Sequence, residues 1–165
     1  MNFDFRSREE STNKARIDSA FEENGRKCSV DNRNGKALLL VHVDDRKDSS
    51  GAVIAPGLPI DGKRCDGLIV VKNDCLAHFI ELKGNDVKAA YPQLENSIEK
   101  INGSRNVFGS QFTGWEKFKR VYAHIISNAK IPANDTLLQN KQKEFHGNLG
   151  ARLEPPAQFI KAIRC

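Results

Sequence analysis

The sequence predicts an α/β fold, and three observations carry that expectation. Short, nearly continuous apolar runs recur along the chain: KALLLVHV (36–43), the run beginning at Asp66 within RCDGLIVV (64–71), AHFIELK (77–83) and RVYAHIIS (120–127). Between the last two, Val87, Tyr91, Leu94, Ile98 and Ile101 recur at spacings of 4, 3, 4 and 3, one face of an amphipathic helix. Polar and turn-forming segments punctuate the runs. At 165 residues the chain is expected to be a single domain, large enough to bury a core.

Each element follows from local pattern. Residues 7–23 are polar and helix-compatible, with Ile17 and Phe21 four apart, Ala15 and Ala20 nearby, and Gly25 as a stop. The run 36–43 is apolar on both alternations, as expected of a strand covered on both faces. The segment DDRKDSSGAVIAPGLPIDGKR reads as a long loop. The turn KNDC (72–75) predicts a hairpin joining the second and third strands. Pro92 costs about 3 kcal/mol inside a helix but little in its first turn, so the helix either starts near Tyr91 or kinks there. Residues 102–119 read as a connection and 134–145 as a polar helix, and the tail carries Pro155-Pro156 before the apolar stretch AQFIKAI.

Composition bounds the function. An apolar content of 39% and the lack of any run near the roughly 18 apolar residues of a membrane span exclude a helical membrane protein. The N-terminus lacks the basic-then-apolar order of a signal peptide, which makes a cytoplasmic location the expectation. Cys28, Cys65, Cys75 and Cys165 show no CxxC pairing and are expected to be free thiols. A net charge of +5 favours a polyanionic partner such as DNA. The positives gather at Lys117, Lys119 and Arg120, beside Phe112 and Trp115, a combination suited to tracking a backbone while stacking on a base. No helix-turn-helix or zinc finger is present, so base-specific reading is not expected.

The chemistry concentrates in two strands. Asp66 stands at the mouth of one, and Glu81 and Lys83 lie two apart inside the next, so both project to the same face while Ile80 and Leu82 project to the other. Two carboxylates and a lysine at the end of a sheet suit Mg²⁺ or Mn²⁺ beside a phosphodiester, since carboxylate oxygens are hard ligands and a lysine can align water. The same spacing occurs at Asp45-Arg-Lys47 and Asp61-Gly-Lys63, but both lie in the polar loop. Only Glu81-Leu82-Lys83 is embedded in an apolar strand. His42, His78, His124 and His146 are scattered and read as structural or surface residues.

This order of elements, with Asp66 heading the second strand and Glu81-Leu82-Lys83 on the third, resembles the PD-(D/E)XK nuclease superfamily over roughly residues 8–127. The resemblance implies a three-layer α/β/α sandwich around a mixed four-stranded sheet. It also implies that Asp66, Glu81 and the backbone carbonyl of Leu82 hold Mg²⁺ or Mn²⁺, with Lys83 beside the attacking water. Cys65 stands where members often have proline. Gln93 matches a glutamine that some members carry on the following helix, although Ser97 stands where those members place tyrosine. Members often add a glutamate from the first helix; of Glu9, Glu10, Glu22 and Glu23, Glu10 is the one expected to join the site. The implied activity is hydrolysis of DNA by a small enzyme of phage defence or repair. The alternatives are a homodimeric junction resolvase, or a catalytically silent subunit that assembles with a partner protein.

Overall fold

The computed structural model describes residues 7–10, 16–44, 46–47, 53–55, 62–102 and 118–165; for 7–10, 16–19, 46–47 and 53–55 it describes the backbone. In chain order the elements are β1 (Ser7–Glu10), β2 (Arg16–Glu23), β3 (Arg26–Asp31), β4 (Leu38–His42), β5 (Arg46–Lys47), β6 (Val53–Ala55), β7 (Gly67–Val71), β8 (Leu76–Lys83), α1 (Ala90–Asn102), β9 (Arg120–Ser127), α2 (Thr136–Leu149), β10 (Ala151–Leu153), β11 (Ala157–Gln158) and β12 (Ile160–Arg164). The main sheet is seven-stranded, in the order β1-β4-β7-β8-β9-β10, with β11 also paired to β9. Its β1, β4, β7 and β8 run antiparallel to their neighbours, whereas β8, β9, β10 and β11 are joined in parallel. A smaller sheet has the order β12-β3-β2, and β5 pairs with β6.

The mixed α/β character is as expected, but the layering differs from the α/β/α sandwich and the main sheet is wider than four strands. One face of the main sheet packs on both helices, where Leu39, Val41, Leu68, Val70, Phe79 and Ile125 meet Leu94, Ile98, Leu138 and Phe145. The opposite face packs on the small sheet, where Leu38, Leu40, Ile69, Ile80 and Ile126 meet Phe21, Cys28, Val30 and Ile163. The second cover is thus a sheet rather than a helix. All five residues of β7 are buried, which is why GLIVV shows no alternation of apolar and polar residues.

The expected helix at 7–23 is not formed. Residues 7–10 pair with β4, and 16–23 pair with β3. A spacing of four does not discriminate between the two periods, because i and i+4 share a face in a strand as well as in a helix. The deciding signal is Asn24-Gly25, where φ values of 48° and 79° build a left-handed hairpin turn into β3. Pairing is interrupted between Ile17 and Phe21, where β2 carries an irregularity.

The helices begin and end where local chemistry requires. Pro92 lies in the first turn of α1, where its missing N–H is no loss. Asp135 caps α2, its carboxylate accepting from the Leu138 N–H at 2.8 Å. Gly150, at φ 60°, closes α2 and returns its N–H to the His146 carbonyl. The helix spans 136–149 rather than 134–145. Neither described helix is long and apolar enough to cross a membrane.

Phe21 connects the two sheets next to Asp66. Its ring lies so close to Gly67 that a Cβ built there would fall 2.4 Å from Phe21 Cε1. Gly67→Ala is therefore expected to destabilise the protein by about 1–3 kcal/mol through overpacking, and Phe21→Leu in the same chain should recover part of that loss. Urea unfolding of the single and double variants reads both effects; equal stability of Gly67→Ala and the parent would disprove this packing.

Candidate functional site

Hairpin register brings the first two carboxylates together. Gly67 pairs with Ile80, so Asp66, one residue before β7, lies beside Glu81 and Leu82 on β8. The Asp66 side chain is fixed there, its Oδ2 accepting from the Leu82 backbone N–H at 2.6 Å. Alternation along β8 directs Glu81 and Lys83 to the helix face with Ala77 and Phe79. From that face α1 contributes Gln93, which lies in its first two turns.

Lys83 is the hub of the cluster. Its Nζ lies 3.2 Å from Glu81 Oε1 and also donates to Gln93 Oε1. Gln93 is in turn oriented by its own Nε2, which donates to the Arg64 carbonyl at 3.0 Å. The ammonium is thereby held between β8, α1 and the segment leading into β7. Asp66, Glu81, Lys83 and Gln93 are brought to one end of the main sheet.

Glu81 is 1% exposed. Burial pushes its carboxyl up to about 8, the neighbouring Asp66 charge adds to the rise, and Lys83 only partly offsets it. Among the described residues nothing hydrogen-bonds Glu81 Oε2, which is also buried. Leaving such an oxygen unpaired costs about 1–3 kcal/mol. A desolvated, mutually repelling carboxylate pair with one open oxygen fits a hard divalent cation, which would relieve both penalties. Among the described residues no group of three His, Cys, Asp or Glu side chains is placed to hold a metal. The acidic side chains that could hold a cation here are Asp66 and Glu81.

The other sequence-derived residues lie elsewhere. Glu10 belongs to a strand, not a first helix. It pairs with Leu38, whose other partner is Val71, so its rung is at the end of β7 away from Asp66. Trp115 and Lys117 fall outside the described residues. Lys119 and Arg120 are exposed at the start of β9. Lys83 pairs with Ser127 at the far end of that strand, about 23 Å away at a strand's rise per residue.

Several supporting residues carried no sequence signal. Ser97 Oγ accepts from the Cys65 N–H at 2.8 Å and donates to the Gln93 carbonyl, also at 2.8 Å, tying the residue before Asp66 to α1. Asn96 Nδ2 donates to the Lys63 carbonyl, and Arg64 pairs with Asp44 at 3.1 Å. The roles of Ser97 and Asn96 depend on α1 docking across the chain, and no local pattern encodes that.

No family model, no curated protein and no solved structure matches this chain.

The position of Glu81 predicts a pH signature. Its folded pKa, about 8, lies above its ordinary value of 4.5, so the fold favours the protonated form. That contribution to stability is complete below pH 4.5 and is lost as pH rises through 8. Glu81→Gln, which keeps the shape without the charge, should match the parent at the acid end and exceed it above pH 8 in metal-free buffer. The check is denaturant unfolding of both proteins across this range. A stability difference that does not change with pH would refute the assigned desolvation.

Proposed function

We propose that this chain is a metal-dependent nuclease of the PD-(D/E)XK kind, hydrolysing phosphodiester bonds of DNA. The observation that carries this reading is the convergence of Asp66, Glu81, Lys83 and Gln93 at one sheet end, with the Lys83 ammonium bridging Glu81 and Gln93. The net charge of +5 supports a polyanionic substrate.

In this mechanism Asp66, Glu81 and the Leu82 carbonyl would hold Mg²⁺ or Mn²⁺. The ion, when bound, supplies Lewis acidity toward the scissile phosphate and toward the attacking water. Asp66 enters the reaction already oriented, because the Leu82 N–H fixes its carboxylate. Glu81 would serve as a ligand in its ionised form, its proton passing to solvent. Lys83 places positive charge where the pentavalent phosphate develops and helps align the nucleophile. Gln93 positions Lys83 through its carboxamide oxygen.

The deciding assay incubates the chain with linear duplex, single-stranded and four-way-junction DNA in Mg²⁺, Mn²⁺, Ca²⁺ or EDTA. Cleavage is expected with Mg²⁺ and Mn²⁺ and not with Ca²⁺, whose looser coordination holds the reacting groups too far apart. Asp66→Ala, Glu81→Ala and Lys83→Ala should each lower turnover by at least about 10²-fold while leaving the circular dichroism spectrum unchanged. Activity that survives exhaustive EDTA, or full turnover by Lys83→Ala, would overturn the reading. Preference for the junction, with a dimer in solution, would assign the resolvase form of the same chemistry.

The exposed Lys119 and Arg120 at the start of β9, with Lys117 of the same sequence cluster, make a separate prediction. Replacing Lys117, Lys119 and Arg120 by alanine should weaken binding to every DNA sequence alike. The slope of log affinity against log salt should fall by about 0.9 for each duplex phosphate contact removed. An unchanged slope would assign these residues to the solvated surface alone.

A further inference from the structure

Between β11 and β12 the chain passes from the main sheet to the small one, and two adjacent apolar side chains stand in solvent there. Phe159 is 47% exposed and Ile160 62%. The backbone of Phe159 is held from both sides. Its N–H donates to the Ser127 carbonyl at 2.9 Å, and its carbonyl accepts from the Lys27 N–H at 2.8 Å. Its φ is 59°, in the left-handed region, where a bulky side chain is an outlier and glycine fits without strain.

Neither the backbone nor the core accounts for a phenylalanine at this position. A left-handed residue turns the chain from β11 into β12, and glycine would make that turn at lower cost. Burial that would offset the strain is incomplete, and the next residue is more exposed still. What is left is a role for the ring outside the fold.

The place of the ring says what it meets. Gln158 pairs with Ser127 on β9, and Ser127 pairs with Lys83 on β8. Phe159 therefore follows directly on the rung of Lys83, two strands and about 10 Å away at ordinary strand spacing. That span is about three steps of a stacked DNA strand, at about 3.4 Å per step. Ile160 pairs with Lys27 across β12 and β3, which puts a cation beside the apolar pair. A stable protein interface needs about 800 Å² from each side, several times what two part-exposed side chains offer. One ring matches the face of one base.

We propose that Phe159, flanked by Ile160, stacks on an unpaired base of the DNA strand held at Lys83, so that the substrate is single-stranded or carries unpaired bases next to the cleaved bond. Inside a duplex both faces of a base are covered by its neighbours. The ring thus needs a base that is already unpaired or has been pushed out of the stack. Stacking tolerates any sequence, since every base has a π-face. The inference rests on the nuclease reading for the place of the strand, but its test reads binding and needs no cleavage.

The test uses the full chain in Ca²⁺, with a single strand carrying 2-aminopurine and a blunt duplex of the same sequence. The parent should bind the single strand more tightly than the duplex and quench the 2-aminopurine fluorescence, which reports stacking. Phe159→Ala should abolish the quenching and weaken single-strand binding by at least about fivefold, the lower end of what one base–aromatic stack contributes. The salt slope should not change, because no phosphate contact is lost. Phe159→Trp should keep both quenching and affinity. Phe159→Leu keeps an apolar side chain against the two sheets without the ring, and should lose the quenching with an unchanged circular dichroism spectrum. Normal quenching and affinity in Phe159→Leu would overturn the proposal. So would a parent that prefers the blunt duplex, or self-association that Phe159→Ala abolishes while DNA binding stays intact, which assigns the pair to a contact between copies. In a parallel Mg²⁺ assay, cleavage by a parent whose quenching ignores Phe159 overturns this inference alone. Quenching that depends on Phe159, with no cleavage in Mg²⁺, overturns the nuclease reading and sustains the stacking site.

Discussion

The register between β7 and β8 is the constraint on which the rest of the candidate site depends. Five successive pairs, from Gly67 with Ile80 to Val71 with Leu76, align the two strands. The connecting turn is a single 3₁₀ turn over Lys72–Asp74, closed by Cys75 in a left-handed conformation at φ 54°. A slip of one residue would send Glu81 and Lys83 toward the small sheet and drive Ile80 and Leu82 under the helices. Apolar cores on both faces penalise that slip, because every residue of β7 is buried. Asp66 depends on the same register, since the Leu82 N–H that fixes its carboxylate is presented only when the strands align in this way.

The core thus supports an electrostatically unfavourable cluster. Glu81 is buried beside another carboxylate, and the nearby lysine does not restore its ordinary acidity. A purely structural position would be better served by an apolar residue of similar volume, since buried charges are weak contributors to stability. The surrounding hydrogen bonds are specific in direction. Gln93 faces Lys83 with its oxygen and the Arg64 carbonyl with its nitrogen, and Ser97 links α1 to Cys65. Such a network fixes the directions of Lys83, Gln93 and the segment before Asp66 relative to one another.

The second face of the main sheet has its own logic. The small sheet covers the apolar part through Phe21, Val30 and Ile163, but toward the start of β8 and β9 the cover gives way to His78, Tyr122 and His124. Lys161 and Ile163 alternate with more exposed neighbours on β12, so one strand both closes the core and puts an ammonium beside these rings. A sheet rather than a helix in this layer makes that combination available.

The sequence by itself determined the elements whose signals are local. The strands at 38–42, 67–71, 76–83 and 120–127, the helix through Leu94 and Ile98, and the turn after Val71 could all be read from apolar runs and spacing. So could the shared face of Glu81 and Lys83, since alternation along a strand is geometry and needs no partner. Tertiary structure decided the rest. Ile17 and Phe21 fit either period, and only pairing with β3 made their segment a strand. The width of the main sheet and the sheet that replaces a second helical layer depend on contacts between residues far apart in the chain. The contacts of Gln93 and Ser97 depend on how α1 docks, and the meeting of His78 with His124 depends on the parallel pairing of β8 with β9. Those outcomes come from long-range burial and hydrogen bonding, in which a residue's partner is chosen by the whole fold and not by its neighbours in sequence.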